Sequence, residues 1–194
     1  MARIVLFVFF AAVLTGAGAV AQQLPYQGQK RLAVPPDYRE WVFLSSSLDL
    51  NYSDGADGRS VLDNVFVNPS AYRAFVKTGA WPDKTIFVKE NRIAASAGTI
   101  SKSGKFQTQI VNMEMHVKDE ARFPGKWAFF ASADGKVPGE LMPMTAACYS
   151  CHSEHGAVDT TFVQFYPTML EVAKSKQTLS PGYLMDLRSF SGEK

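Results

Sequence analysis

Two thiols and an imidazole stand together in the last quarter of the 194-residue chain, in the stretch MTAACYSCHSEHG at residues 144–156: Cys148, Cys151 and, directly after the second thiol, His152. Three chemistries use such a set. A thioredoxin-like redox pair sits at a helix N-terminus early in a βαβ unit, where the helix dipole depresses the thiol pKa; here the pair follows a run of strand-like segments. A zinc clip would recruit His152 or His155 beside the thiolates, yet structural zinc asks for a closed set of four ligands and the fourth is not evident. A c-type haem needs only what is present. Two thiols at this spacing add across the two vinyl groups of one porphyrin, and the adjacent imidazole reaches the iron. The haem reading is favoured, with Cys148 and Cys151 as thioether donors and His152 as the proximal iron ligand.

The purpose of such a haem depends on its sixth ligand, since cofactor and fold do not by themselves fix function. An electron carrier usually has the motif near its N-terminus and a distant Met or His on the far side of the iron. Here Met169 and Met185 lie downstream of the motif, and Met113, Met115, His116, Met142 and Met144 lie upstream. Packing or surface exposure accounts better for each. An open sixth position, and hence small-molecule chemistry or gas binding, is expected.

The segments that must position this motif are legible in outline. Residues 1–21 read as a secretory signal peptide, with basic Arg3, an apolar run from Ile4 to Leu14, and the small-residue ending Ala19-Val20-Ala21. No later stretch reaches the roughly 20 apolar residues of a membrane span, so an exported, periplasmic chain is expected. A formal net charge of +2 gives no reason to expect nucleic acid as a partner. Aromatic residues make up 12% of the chain and concentrate in its strand-like and helical stretches, which argues for a large apolar interior or pocket.

VPPDYREWVFLS reads as a helix opened by Pro36, with Tyr38, Trp41 and Val42 on one face. NYSDGADGRS is a surface loop. NPSAYRAFVKTG is a helix capped by Asn68, started by Pro69 and ended by Gly79. NVFV, KTIFVKE, FQTQIVNMEMHV and KWAFFAS read as strands. Alternation in the third puts Asn112, Glu114 and His116 on one face and Met113 and Met115 on the other, and in the second it aligns Thr85, Phe87 and Lys89. FVQFYPTMLEVAKSK ends as a helix, and a loosely held tail follows. The expected architecture is an α+β fold: a mostly antiparallel sheet with flanking helices, in a single domain carrying a c-type haem. Its expected divisions are a signal peptide at 1–21, the haem domain at 30–175 and a tail at 176–194.

PDYREWV, VNPSAYRAFVKTG, TIFVKE, VKDEARF, KWAFF, AACYSCH and DTTFVQFYP occur in the order and spacing of the cytochrome P-460 family, from about Pro36 to Pro167, and the chain resembles that family. The resemblance implies a small, mostly antiparallel domain, a homodimer and a covalent haem c, one per chain. It implies one of two activities. Cytochrome P-460 oxidises hydroxylamine to nitrogen oxides, and its haem carries an extra bond from a lysine to a porphyrin meso carbon. The related β-type cytochromes c prime have an unmodified haem and bind nitric oxide or carbon monoxide without turnover.

Lys89 matches the cross-linking lysine and Glu114 the distal carboxylate that relays protons, so the resemblance implies the hydroxylamine oxidoreductase, with a small cytochrome accepting its electrons. Chemistry agrees: hydroxylamine loses protons with its electrons, and a nearby carboxylate accepts them. His116 shares the strand face of Glu114, although a core or surface role suits a histidine better. For Phe87, Phe129 and Phe130 core packing is the expectation, His155 is expected on the surface, and Arg39 and Arg73 need only be solvated.

Overall fold

The computed structural model describes residues 23–50, 58–96, 100 and 102–191. The expected signal peptide and residues 51–57 of the expected surface loop lie outside them. Eight strands form one antiparallel sheet: β1 (Tyr26–Gln27), β2 (Arg31–Leu32), β3 (Val42–Leu48), β4 (Val61–Val67), β5 (Ile86–Ala95), β6 (Phe106–Lys118), β7 (Trp127–Ser132) and β8 (Gly139–Leu141). Their order across the sheet is β1-β2-β8-β7-β6-β5-β4-β3. Strands β3 to β8 thus meander, and the short β1–β2 hairpin returns to pair with β8. Helices α1 (Pro69–Thr78), α2 (Ala147–His155), α3 (Pro167–Lys176) and α4 (Pro181–Ser191) complete a single α+β domain. No helix among the described residues is long and apolar enough to cross a membrane.

Strand alternation divides the interior in two. Ile86 and Val88 of β5, Met113, Met115 and Val117 of β6, and Ala128 and Phe130 of β7 face one core, closed by Leu24, Tyr38 and Trp41. On the other face Val67, Phe87 and Trp127 pack with Ala71 and Phe75 of α1 and Met169 and Ala173 of α3. The site lies on this second face.

The segment from Val34 to Ser45 departs from the helical expectation. Only Tyr38–Glu40 makes a helical turn, of the 3-10 type, and the chain extends through Trp41 into β3. Long-range partners decide this. Buried Glu90 accepts hydrogen bonds from Tyr38, Arg39 and Arg92, and residues 42–48 pair with β4 along their length. Arg39, expected only to be solvated, therefore holds an ion pair with Glu90 at 2.5 Å. Burial alone would raise the Glu90 carboxyl; the bonds from Arg92 and Tyr38 and the Arg39 charge override it and hold the group low.

Helix α1 forms as expected between Pro69 and the left-handed Gly79, whose N–H caps the Phe75 carbonyl at 2.7 Å. A Cβ at Gly79 would lie 2.6 Å from Lys176 Cβ and 2.8 Å from Thr178 Oγ1. Gly79→Ala is therefore expected to lower stability by about 2 kcal/mol or more, from the left-handed backbone and the overpacking together. Denaturant unfolding checks it, and an unchanged midpoint would contradict it.

The segment after Lys176, expected to be loosely held, forms α4 and docks on α2. Ser180 N–H donates to Ala157 O at 2.8 Å, Ser180 Oγ to Gly156 O at 2.5 Å, and His155 Nδ1 meets Asp186 Oδ2 at 2.7 Å.

Candidate haem site

The motif lies on α2, where spacings of three and four bring Cys148, Cys151 and His152 to one face of the helix. All three line a cavity of about 550 Å³ against the second face of the sheet, within the range of small-molecule and cofactor sites. Tyr149 docks the helix on β7: its hydroxyl donates to Met142 O at 3.2 Å and accepts from Phe129 N–H at 3.3 Å. Beyond the helix, Gly156 permits a close return of the chain, since a Cβ there would stand 2.6 Å from His152 O. That return brings Thr160 O within 2.8 Å of His152 Nδ1.

An Nδ1–H donated to a carbonyl leaves Nε2 with its lone pair free, the arrangement a metal-binding histidine requires. Rings enclose this imidazole: Phe162 at 4.1 Å, Phe129 at 4.6 Å and His116 at 4.9 Å between centroids. Burial lowers the His152 pKa against the opposing pull of the Thr160 carbonyl, which favours the neutral, ligating form. Both cysteines are free thiols, raised above the usual thiol range by burial. No group of three or more His, Cys, Asp or Glu side chains arranged to hold a metal ion occurs among the described residues.

The sheet supplies the opposite wall in rows set by register. Val65, Lys89 and Glu114 are neighbours across β4, β5 and β6, and Phe87 pairs with His116, which pairs with Phe129. Lys89 Nζ lies 3.5 Å from Glu114 Oε2. Asn91 Nδ2 donates to Glu114 Oε1 at 3.2 Å and also to Asn112 Oδ1. One oxygen of the Glu114 carboxylate thus takes an amide hydrogen and the other faces Lys89 Nζ.

All five expected site residues, Lys89, Glu114, Cys148, Cys151 and His152, therefore line one cavity. His116 lines the same cavity, with its Nε2 3.4 Å from Thr160 Oγ1. It is buried, stacked on Phe129 at 4.0 Å and set against His152, and burial, with His152 adjacent, holds its pKa well below the histidine norm. Phe87 and Phe129, expected only as packing, also wall the cavity, whereas Phe130 belongs wholly to the other core. Met113 and Met115 are packed in that core and Met169 in the second, while Met144 and Met185 are exposed. His155 is exposed, as expected.

Residues not anticipated are Thr160, which orients His152, and Asp63, Asn91, Phe162 and Tyr166. Nothing in the sequence marks Thr160, because it acts through its backbone. Asp63 left a faint sign, an acid inside the apolar run VLDNVFV.

These residues fit a haem: two free thiols on one helix face, an imidazole with an orientated Nε2 beside them, and an aromatic-walled cavity that all three enter. The family model described as Cytochrome P460 matches residues 35–163, more than half of the chain and inclusive of the motif. No curated protein matches the chain. On this match and this site, the chain belongs to the cytochrome P460 family and is a haem protein.

Proposed function

We propose that this chain is an exported, periplasmic c-type haem enzyme that oxidises hydroxylamine to nitrous oxide or nitrite. One observation carries the reading: Lys89 and Glu114 stand 3.5 Å apart in the same cavity that Cys148, Cys151 and His152 enter. In this reading Cys148 and Cys151 would hold the haem through thioether bonds to its two vinyl groups. His152, its Nδ1 held by Thr160 O, would present Nε2 to the iron. Lys89, on the facing wall of the same cavity, would hold the porphyrin through a further bond from Nζ.

When bound, the haem supplies the redox centre that takes electrons from hydroxylamine and passes them to a small acceptor cytochrome. Glu114 is the base. Two hydroxylamines becoming one nitrous oxide and one water release four protons with four electrons, and the carboxylate accepts those protons in turn. Phe87, Phe129 and Phe162 keep water from the reacting atoms. The working form is a homodimer, a reading supported by Phe43 and Leu48, exposed on the edge strand β3.

Adding hydroxylamine to the oxidised holoprotein with a dye acceptor tests the reading. Reduction with consumption of hydroxylamine and release of nitrous oxide is expected. An oxidised protein that hydroxylamine leaves unchanged overturns it, and nitric oxide capture by an ordinary c haem would then mark a gas-binding protein.

A further inference from the structure

The cavity wall carries a third acid. In β4, Asp63 stands directly opposite Asn91 of β5, which stands opposite Asn112 of β6, one row beyond Lys89 and Glu114. Asp63 lines the cavity yet is only 8% exposed, and Asn91 is 6% exposed. The Asn91 amide has a settled orientation, because its Nδ2 faces the Glu114 carboxylate, which only accepts hydrogen bonds. Its Oδ1 is buried and has no partner in the structure. Buried amide oxygens are rarely left so, since the unmade bond costs as much as a lost one.

Side chains directly opposite in antiparallel strands lie about 5 Å apart at Cβ, within hydrogen-bonding reach. A carboxylate at Asp63 has no hydrogen to give; a carboxylic acid has one. We propose that Asp63 is held as the un-ionised acid and donates its hydrogen to Asn91 Oδ1, making it the far end of an Asp63–Asn91–Glu114 chain that positions the cavity base.

The surroundings favour that protonation state. Burial pushes the Asp63 carboxyl up, and Glu114 across the sheet and Asp49 at the end of β3 push the same way, against Lys89 on β5. The consequence is mechanical: with Oδ1 held by Asp63, the Asn91 amide cannot turn, and Nδ2 keeps Glu114 Oε1 in place while Oε2 faces Lys89. Asp63 is a positioning residue, acting through Asn91, and its role in turnover rests on the hydroxylamine reading.

The test uses the full holoprotein and two readouts. Infrared spectra at neutral pH are expected to show the carbonyl stretch of an un-ionised carboxyl group that persists in Glu114→Gln and disappears in Asp63→Asn. In hydroxylamine oxidation, Asp63→Ala is expected to lower kcat about 10–100-fold, by analogy with the loss of an outer hydrogen-bond partner at a metal site, with less effect on KM. Asp63→Asn, which returns an N–H donor to the same oxygen, is expected to recover most of that loss. Absence of the band, its survival in Asp63→Asn, or an Asn variant as slow as the Ala variant would each overturn the proposal. Should the wild-type protein leave hydroxylamine untouched, the functional reading falls, and the infrared result alone decides Asp63.

Discussion

Glu114→Gln is expected to slow hydroxylamine oxidation by about 10²–10⁴-fold, the range associated with removing a positioned general base. The substitution is nearly isosteric and the local frame should survive it. Asn91 Nδ2 can still donate to the remaining side-chain oxygen, as it does to Glu114 Oε1 at 3.2 Å. Two things change. The amide cannot accept a proton, and its NH₂ replaces the oxygen that faces Lys89 Nζ at 3.5 Å. The loss should fall on kcat, because the carboxylate is used while protons are leaving rather than while substrate binds. Steady-state kinetics beside the absorption spectrum checks this: an intact haem spectrum with slow turnover is expected, and a kcat within about twofold of wild type would remove Glu114 from the mechanism.

The second large effect belongs to Lys89→Arg. Arginine preserves a long basic side chain on this strand, but its guanidinium stays protonated and is not a nucleophile. The side chain still reaches the cavity, and the bond to the porphyrin is lost. Reduced wild-type protein is expected to absorb far to the red of an ordinary c haem, and Lys89→Arg is expected to show the ordinary spectrum, to lose hydroxylamine oxidation and to retain nitric oxide binding. An identical spectrum in wild type and variant would show that no cross-link forms. Since the side chain of Lys89 reaches the cavity from mid-strand rather than from a loop, its aim does not depend on a mobile segment.

What could be read from the sequence follows from the range over which each feature is determined. Helix α1 is a local event, with Pro69 at its start and left-handed Gly79 at its end, and both are visible in the chain. The alternation of Asn112, Met113, Glu114, Met115 and His116 states which side chains share a face, and the structure keeps that division. Alternation says nothing about register. That Lys89 meets Glu114 is a fact of how β5 aligns with β6, and only the family resemblance brought the two together beforehand.

The segment after Val34 failed for the same reason in reverse. Tyr38, Trp41 and Val42 have helical spacing, but Tyr38 answers to Glu90, 52 residues away, and β3 to the β4 edge it pairs with. The last segment, from Lys176, contained Pro181 as a helix start, yet its docking depends on Asp186 meeting His155 and on Ser180 meeting Gly156. Thr160 and Asn91 illustrate the limit most plainly. Each acts on a motif residue by one hydrogen bond, and neither bond leaves a trace in spacing or composition.

The central claim is that one haem is bound covalently in the cavity that Cys148, Cys151, His152, Lys89 and Glu114 line. Intact-protein mass spectrometry under denaturing conditions, on protein exported by cells with an active haem-ligation system, tests it most directly. The predicted mass is that of the processed polypeptide plus one haem, less two hydrogens for the Lys89 bond, with the haem retained on peptides containing Cys148, Cys151 and Lys89 after digestion. A polypeptide mass with no haem attached would contradict the account.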